Sequence, residues 1–250
     1  MERKQIVPIL IALMLAGLSI STNLAQGLSL NVGADFVSSY IWRGTNVNNQ
    51  PNLQPNITLK YAGLQMGLWG SYGLSHLNSN DEHYPLSQEI DTWVSYSLAI
   101  SSTINVTALL TDYYYPNGGV KIGNFNNYDY QNGAGAHLIE AGLTVAGAES
   151  FPLSISGYVN IHNDKGNNIY FQADYSTVIH EINVGLFVGA AAGSKVTPAC
   201  YGTEKFNIVN MGVKVSKSLK VSDGFSVPVY CSYILNPNRE VAFLVLGISL

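Results

Sequence analysis

Charge is the first thing this sequence has little of. Only 11% of its 250 residues are Asp, Glu, Lys or Arg, against about 25% in an ordinary soluble chain. So few ionised groups do not clothe a typical water-facing surface. Long apolar runs are also missing. Beyond Ile20 no stretch approaches the roughly 18 to 20 residues that a membrane-crossing helix needs. The formal net charge is -4 and no basic stripe exists, which argues against nucleic acid as a partner, because phosphates must be neutralised by Lys and Arg. Cysteine is scarce. Cys200 and Cys231 are the only thiols, too few for a disulfide framework, and neither has the Cys or His spacing of a zinc site. Cys231 keeps phase with the apolar Phe225, Val227 and Val229, so a small apolar side chain on a strand is the favoured reading; a Cys200–Cys231 pair stays open.

What the chain does have is Gly (24), Tyr (16) and a period of two. In the stretch 28–44, Leu28, Leu30, Val32, Ala34, Phe36, Tyr40 and Trp42 alternate with Ser29, Asn31, Asp35, Ser39 and Arg43. A strand sends successive side chains to opposite faces, so this pattern gives one apolar and one polar face. Tyr40 and Trp42, aromatic with polar tips, are expected in the belt where hydrocarbon meets water.

Residues 1–25 read as a secretory signal peptide. Arg3 and Lys4 precede the apolar run Ile6 to Ile20, and small and polar residues lead to a cut after Ala25. A retained anchor is the competing reading.

After Gly44, the Asn- and Pro-rich stretch 45–55 reads as a loop. Alternation then returns at 56–62, 64–73, 89–100, 103–113, 139–146, 153–162, 169–177, 182–188, 209–216, 225–233 and, more weakly, 240–250. Pro228 removes a ladder donor and predicts a bulge. Ala62-Gly63, Ser101-Ser102 and His180-Glu181 make short turns, whereas 74–87, 114–135 and 194–205 are long and polar. About twelve strands with long connections at one end and short ones at the other predict an all-β, antiparallel up-and-down barrel crossing the bacterial outer membrane. Closure removes the unpaired edges that lipid would penalise. A soluble secreted sandwich would carry more charge.

Phe36 to Gly44 (FVSSYIWRG), Gln54-Pro55-Asn56 and the stretch YAGLQMGLWGSY (61–72) resemble the opening of a family of outer-membrane porins of poorly defined substrate. In that family a strand ending in Ser-x-Tyr-Ile-x-Arg-Gly is followed by a Pro-containing strand and a Gly-Trp-containing one. The closing stretch 213–250 looks like the end of related outer-membrane chains from Bacteroidetes-type bacteria. The resemblance covers both ends well and the middle only by rhythm. It implies a barrel in the cell outer membrane of a Gram-negative bacterium and a transport role, without a ligand. Leu250 departs from the aromatic that commonly ends such chains.

If the polar phase faces the interior, the pore-lining charges are Asp35, Arg43, Lys60, Glu89, Asp91, Glu140, Asp174 and Lys214. Acids outnumber bases among them, and carboxylate rings favour cations, so a mild cation or neutral-solute preference follows. Structural ion pairing across the lumen is the alternative. Trp69, Trp93, Tyr158, Tyr170 and Phe187 point the same way and are expected to fill space. His137, His162 and His180 read as rim residues. Catalysis is not expected: around His76 to Asn80 no His-x-Ser spacing places a base beside a serine. Asp81-Glu82-His83 reads as a solvated loop tip rather than a metal site, and Gly133 to Gly135 lacks the strand-to-helix context of a phosphate cradle. No cofactor is expected. The expected partners are the outer-membrane bilayer and small polar solutes, with oligomeric state open. The competing class is a non-conducting surface barrel whose loops, 114–135 above all, bind a partner.

Overall fold

The computed structural model describes residues 20–25 (backbone only), 27–75, 87–128, 131, 133–148, 150–196 and 200–250. The loop groups His76 to Asn80 and Asp81 to His83 lie outside them, as do residues 1–19 of the expected signal peptide. Fifteen strands follow in order: β1 (Ile20–Ala25), β2 (Leu28–Val37), β3 (Tyr40–Trp42), β4 (Thr45–Asn48), β5 (Asn52–Tyr61), β6 (Leu64–Gly73), β7 (Gln88–Ala99), β8 (Ile104–Tyr114), β9 (His137–Gly147), β10 (Leu153–His162), β11 (Ile169–Ile179), β12 (Ile182–Ala191), β13 (Asn207–Ser222), β14 (Phe225–Asn236) and β15 (Val241–Ser249).

Twelve of them, β2 and β5 to β15, form one closed antiparallel barrel in which each strand pairs with its sequence neighbour and β15 returns to β2. The expected fold class and strand number are therefore present. The closing ladder is short. It runs over Gly247↔Val37, Ile248↔Phe36 and Ser249↔Asp35, and is extended by paired backbone bonds between Ala34 and Leu250. The backbone of β1 takes the remaining edge of β2, from Ile20↔Val32 to Ala25↔Leu28.

Alternation decides the faces. Leu68, Leu143, Ile155, Phe171, Leu186 and Leu244 are exposed on the outside, giving the apolar outer surface of a barrel that lies in lipid. Their neighbours Glu89, Asp91, Thr111, Glu140, Ser156, Asn210 and Ser232 are buried inside. The core of this protein is thus polar.

Short turns at one end include Ala62-Gly63 and His180-Glu181, with all four residues at positive φ. That is the backbone of the two-residue type I′ hairpin, whose twist matches its strands. The long connections gather at the other end. Glycines on the inner face make room for aromatic rings from the next strand: a Cβ at Gly67 would lie 2.8 Å from Trp93, one at Gly142 2.7 Å from Tyr158, and one at Gly212 2.7 Å from Phe187. Each glycine is the direct cross-strand partner of its aromatic.

Three local expectations are corrected. The first transmembrane strand stops at Val37 rather than running to Gly44, and 45–55 is not simply a loop, since it contains β4 and the start of β5. β13 continues through Ser222, where a turn from Lys217 onward is expected. No register shift falls at Pro228, which sits opposite Ser218; the irregularity lies between Lys220 and Ser222. The β15 ladder ends at Val229, so Pro228 lies beyond it.

Candidate functional site

Past Val37 the chain leaves the barrel wall, and β3 and β4 form a separate two-stranded hairpin. Trp42↔Thr45 closes it around Arg43-Gly44. Both turn residues have positive φ, 47° and 74°, again the type I′ geometry. Glycine is required at the second position, because a Cβ on Gly44 would overlap the Val209 carbonyl. The Asn236 side-chain amide, fully buried, donates to the Gly44 carbonyl at 2.9 Å and ties the apex to β14. The hairpin folds inward, since Tyr40, Trp42 and Arg43 meet inner-face residues such as Trp69, Tyr113, Glu140 and Tyr158.

Arg43 is the hub. Its Nη1 and Nη2 donate to the two oxygens of Glu140 at 2.6 and 2.8 Å, and Nη1 also donates to the Tyr201 hydroxyl at 2.6 Å. Tyr113 donates a further bond to Glu140 at 3.0 Å. The guanidinium carbon lies 4.4 Å from the ring centres of both Tyr158 and Tyr170 and 4.6 Å from that of Trp42. A planar cation suits this arrangement, since it bonds in its plane and is attracted by aromatic faces above and below. The pair is buried, with Glu140 side-chain exposure only 2%, so each charge depends on the other.

The rest of the hairpin packs around this hub. Trp42 stacks on Tyr201 at 5.6 Å and meets Tyr113 edge-on. Tyr201 in turn stacks on Tyr170, within a buried cluster that includes Ala191 and Val209. Tyr40 is buried against Trp69 at 5.4 Å. The expected aromatic belt of Tyr40 and Trp42 is therefore corrected: both rings are inside the barrel, because the backbone turns inward at Ser38-Ser39 and the strand phase does not carry past that bend. Exposed outward tyrosines lie elsewhere, Tyr61 and Tyr96 near the short turns and Tyr72 near the long loops.

Of the predicted pore-lining charges, the structure joins Arg43 and Glu140 directly. Glu89 and Asp91 are adjacent on the inner face of β7, both buried, with Tyr115 donating to Glu89 and Asp91 Oδ1 lacking a partner. Asp174 accepts from Gln172 at 2.8 Å. Lys214 sits over the Tyr230 ring, 3.9 Å from its centre. Asp35 faces inward opposite Gln54, and Lys60 is exposed near the short-turn end of β5. His137 is more than a rim residue, since it bonds Asp112 and the Ile122 carbonyl and stacks on Phe125, fastening the 115–136 loop.

Both cysteines are free, and burial pushes the Cys200 thiol up to about 12. Among the described residues no group of three or more metal-ligating side chains occurs. In the loop after β10, burial opposes the charge of Asp164, but bonds from Asn160, Asn168 and Gly166 outweigh it and hold the carboxyl below its usual range.

Sequence reasoning missed Tyr113 and Tyr201 as partners of Arg43, and the hairpin itself. The signal was present as Arg-Gly between YIW and TNV, a two-residue turn flanked by β-formers.

Residues 22–226 match the profile of a family described as "Bacterial protein of unknown function (Gcw_chp)". None of the curated proteins matches the sequence. The crystal structure of OccAB3 from Acinetobacter baumannii is similar at 7% identity with a TM-score of 0.38; the match covers 92% of this chain and 65% of that one. The chain thus spans about two thirds of the length of that structure.

Proposed function

We propose a function from the premise that the family match supplies: the chain belongs to the Gcw_chp family of bacterial proteins. This member is an outer-membrane barrel that passes small polar solutes, with the β3–β4 hairpin as its constriction. One observation carries the reading. Within the polar interior lies a lumen cavity of about 360 Å³ directly against Arg43, bordered by Tyr158, Gln172 and Asp174. Polar side chains around a cavity of that size suit a path for water and small polar solutes. The hairpin, however, packs tightly enough to favour a second reading, a barrel that seals the membrane and acts through its loops.

Liposome swelling separates the two. Full-length protein reconstituted with small sugars and amino acids is expected to admit the smaller solutes slowly. Replacing residues 40–48 by a short Gly-Ser link is expected to raise single-channel conductance severalfold in a planar bilayer. A tight seal in both proteins would overturn the channel and leave the surface role.

A further inference from the structure

The cavity beneath the hairpin has a hydrogen-bonding sense that can be read atom by atom. An ionised carboxylate only accepts, so the bond between Asp174 Oδ1 and Gln172 at 2.8 Å must come from Gln172 Nε2. That fixes the Gln172 amide. Its Oε1 then accepts from the Tyr170 hydroxyl at 2.5 Å and from Asn210 Nδ2 at 3.3 Å. Asn210 Nδ2 also bonds the Tyr170 hydroxyl oxygen at 3.0 Å. The Asn210 amide is thereby oriented too, and its Oδ1 is left buried with no donor, in a residue only 6% exposed. Buried acceptors in that condition are rare and costly.

Most of the donors on this network are thus engaged, while two acceptors remain. Arg43 turns three of its five N–H groups to Glu140 and Tyr201, and its charge is met by the Glu140 carboxylate. Gln172, Asn210 and Tyr170 donate to one another or to Asp174. The acceptors left are Asn210 Oδ1 and the second oxygen of Asp174, with the rings of Tyr158, Tyr170 and Phe187 alongside. Glu140 neutralises Arg43, and Lys214 is held over Tyr230 on the neighbouring strand, so Asp174 is the one uncompensated charge among the lining residues.

We propose that this lumen pocket binds a small organic cation that carries N–H donors on a short apolar body, a primary ammonium compound. The N–H groups satisfy Asp174 and Asn210, and the aromatic faces take the body and attract the charge. An anion would meet the uncompensated Asp174 carboxylate. The proposal rests on the channel reading for the route by which solute reaches the pocket, and names its preferred solute class.

The test uses full-length protein in detergent micelles and saturation-transfer-difference NMR with n-butylammonium, tetramethylammonium, butyrate and glucose as probes. The expected order places n-butylammonium first, with tetramethylammonium weaker for want of N–H donors and butyrate undetected. Asp174→Asn keeps the shape and the Gln172 bond and is expected to weaken n-butylammonium about tenfold or more, the loss of a charge-assisted bond. Phe187→Leu keeps the carboxylate and is expected to weaken it severalfold. Equal binding of butyrate or glucose, or wild-type affinity in folded Asp174→Asn, overturns the proposal. Swelling assays on the same preparation keep the two readings apart. Solute entry without amine binding removes the pocket and leaves the channel; amine binding in a sealed barrel does the reverse.

Discussion

The two halves of the lumen are built on opposite plans. Toward the long loops, the space is filled by a hairpin whose apex cation is bonded, stacked and buried. Toward the short turns, Gly67 lets Trp93 lie over the neighbouring backbone. One half is filled by large side chains from the hairpin, and in the other a wall glycine leaves room for a ring from the adjacent strand. A barrel of twelve strands has room for both, since its radius is set by strand number and stagger rather than by filling.

The contrast is broken most directly at its charged centre. Glu140→Ala strands the Arg43 guanidinium in a buried site, for which a cost of about 3–5 kcal/mol is expected. Thermal unfolding in micelles would measure it. The double variant Arg43→Met with Glu140→Leu is expected to recover most of that loss, because no lone charge remains. Next in size is Gly67→Ala, which forces a methyl against Trp93 and the Ile57 carbonyl, at a cost of about 1–3 kcal/mol for overpacking. If the glycine slots are incidental, Gly67→Ala will unfold at the wild-type temperature. The smallest effect belongs to the loop after β10. Asp164 has a carboxyl held below its usual range, so it contributes stability above its unfolded value that is lost as pH falls through the lower, folded one. Protection of the Gly166 and Asn168 amides, relative to their intrinsic exchange rates, should therefore fall only under acid conditions, and Asp164→Asn should remove that dependence.

Much of the fold was legible residue by residue. Leu64 to Gly73, Leu153 to His162 and the turns at Ala62-Gly63 and His180-Glu181 were each readable from alternation and turn chemistry, because these act within a few neighbours. The burial of Glu89, Asp91 and Glu140 agrees with the same phase. Tyr40 and Trp42 were misplaced for an equally physical reason. Alternation holds only while the chain remains in the sheet, and two serines at 38–39 end it without a strong breaker.

The sequence by itself determined that this is a barrel and which face of each strand is apolar, since a period of two is a property of the backbone. Only the tertiary structure decided where the segment 38–51 goes and what Arg43 meets. Its carboxylate partner lies 97 positions away and its hydroxyl partner 158. Contacts across a lumen arise when the sheet closes and loops return over it, and no local pattern encodes distances of that kind.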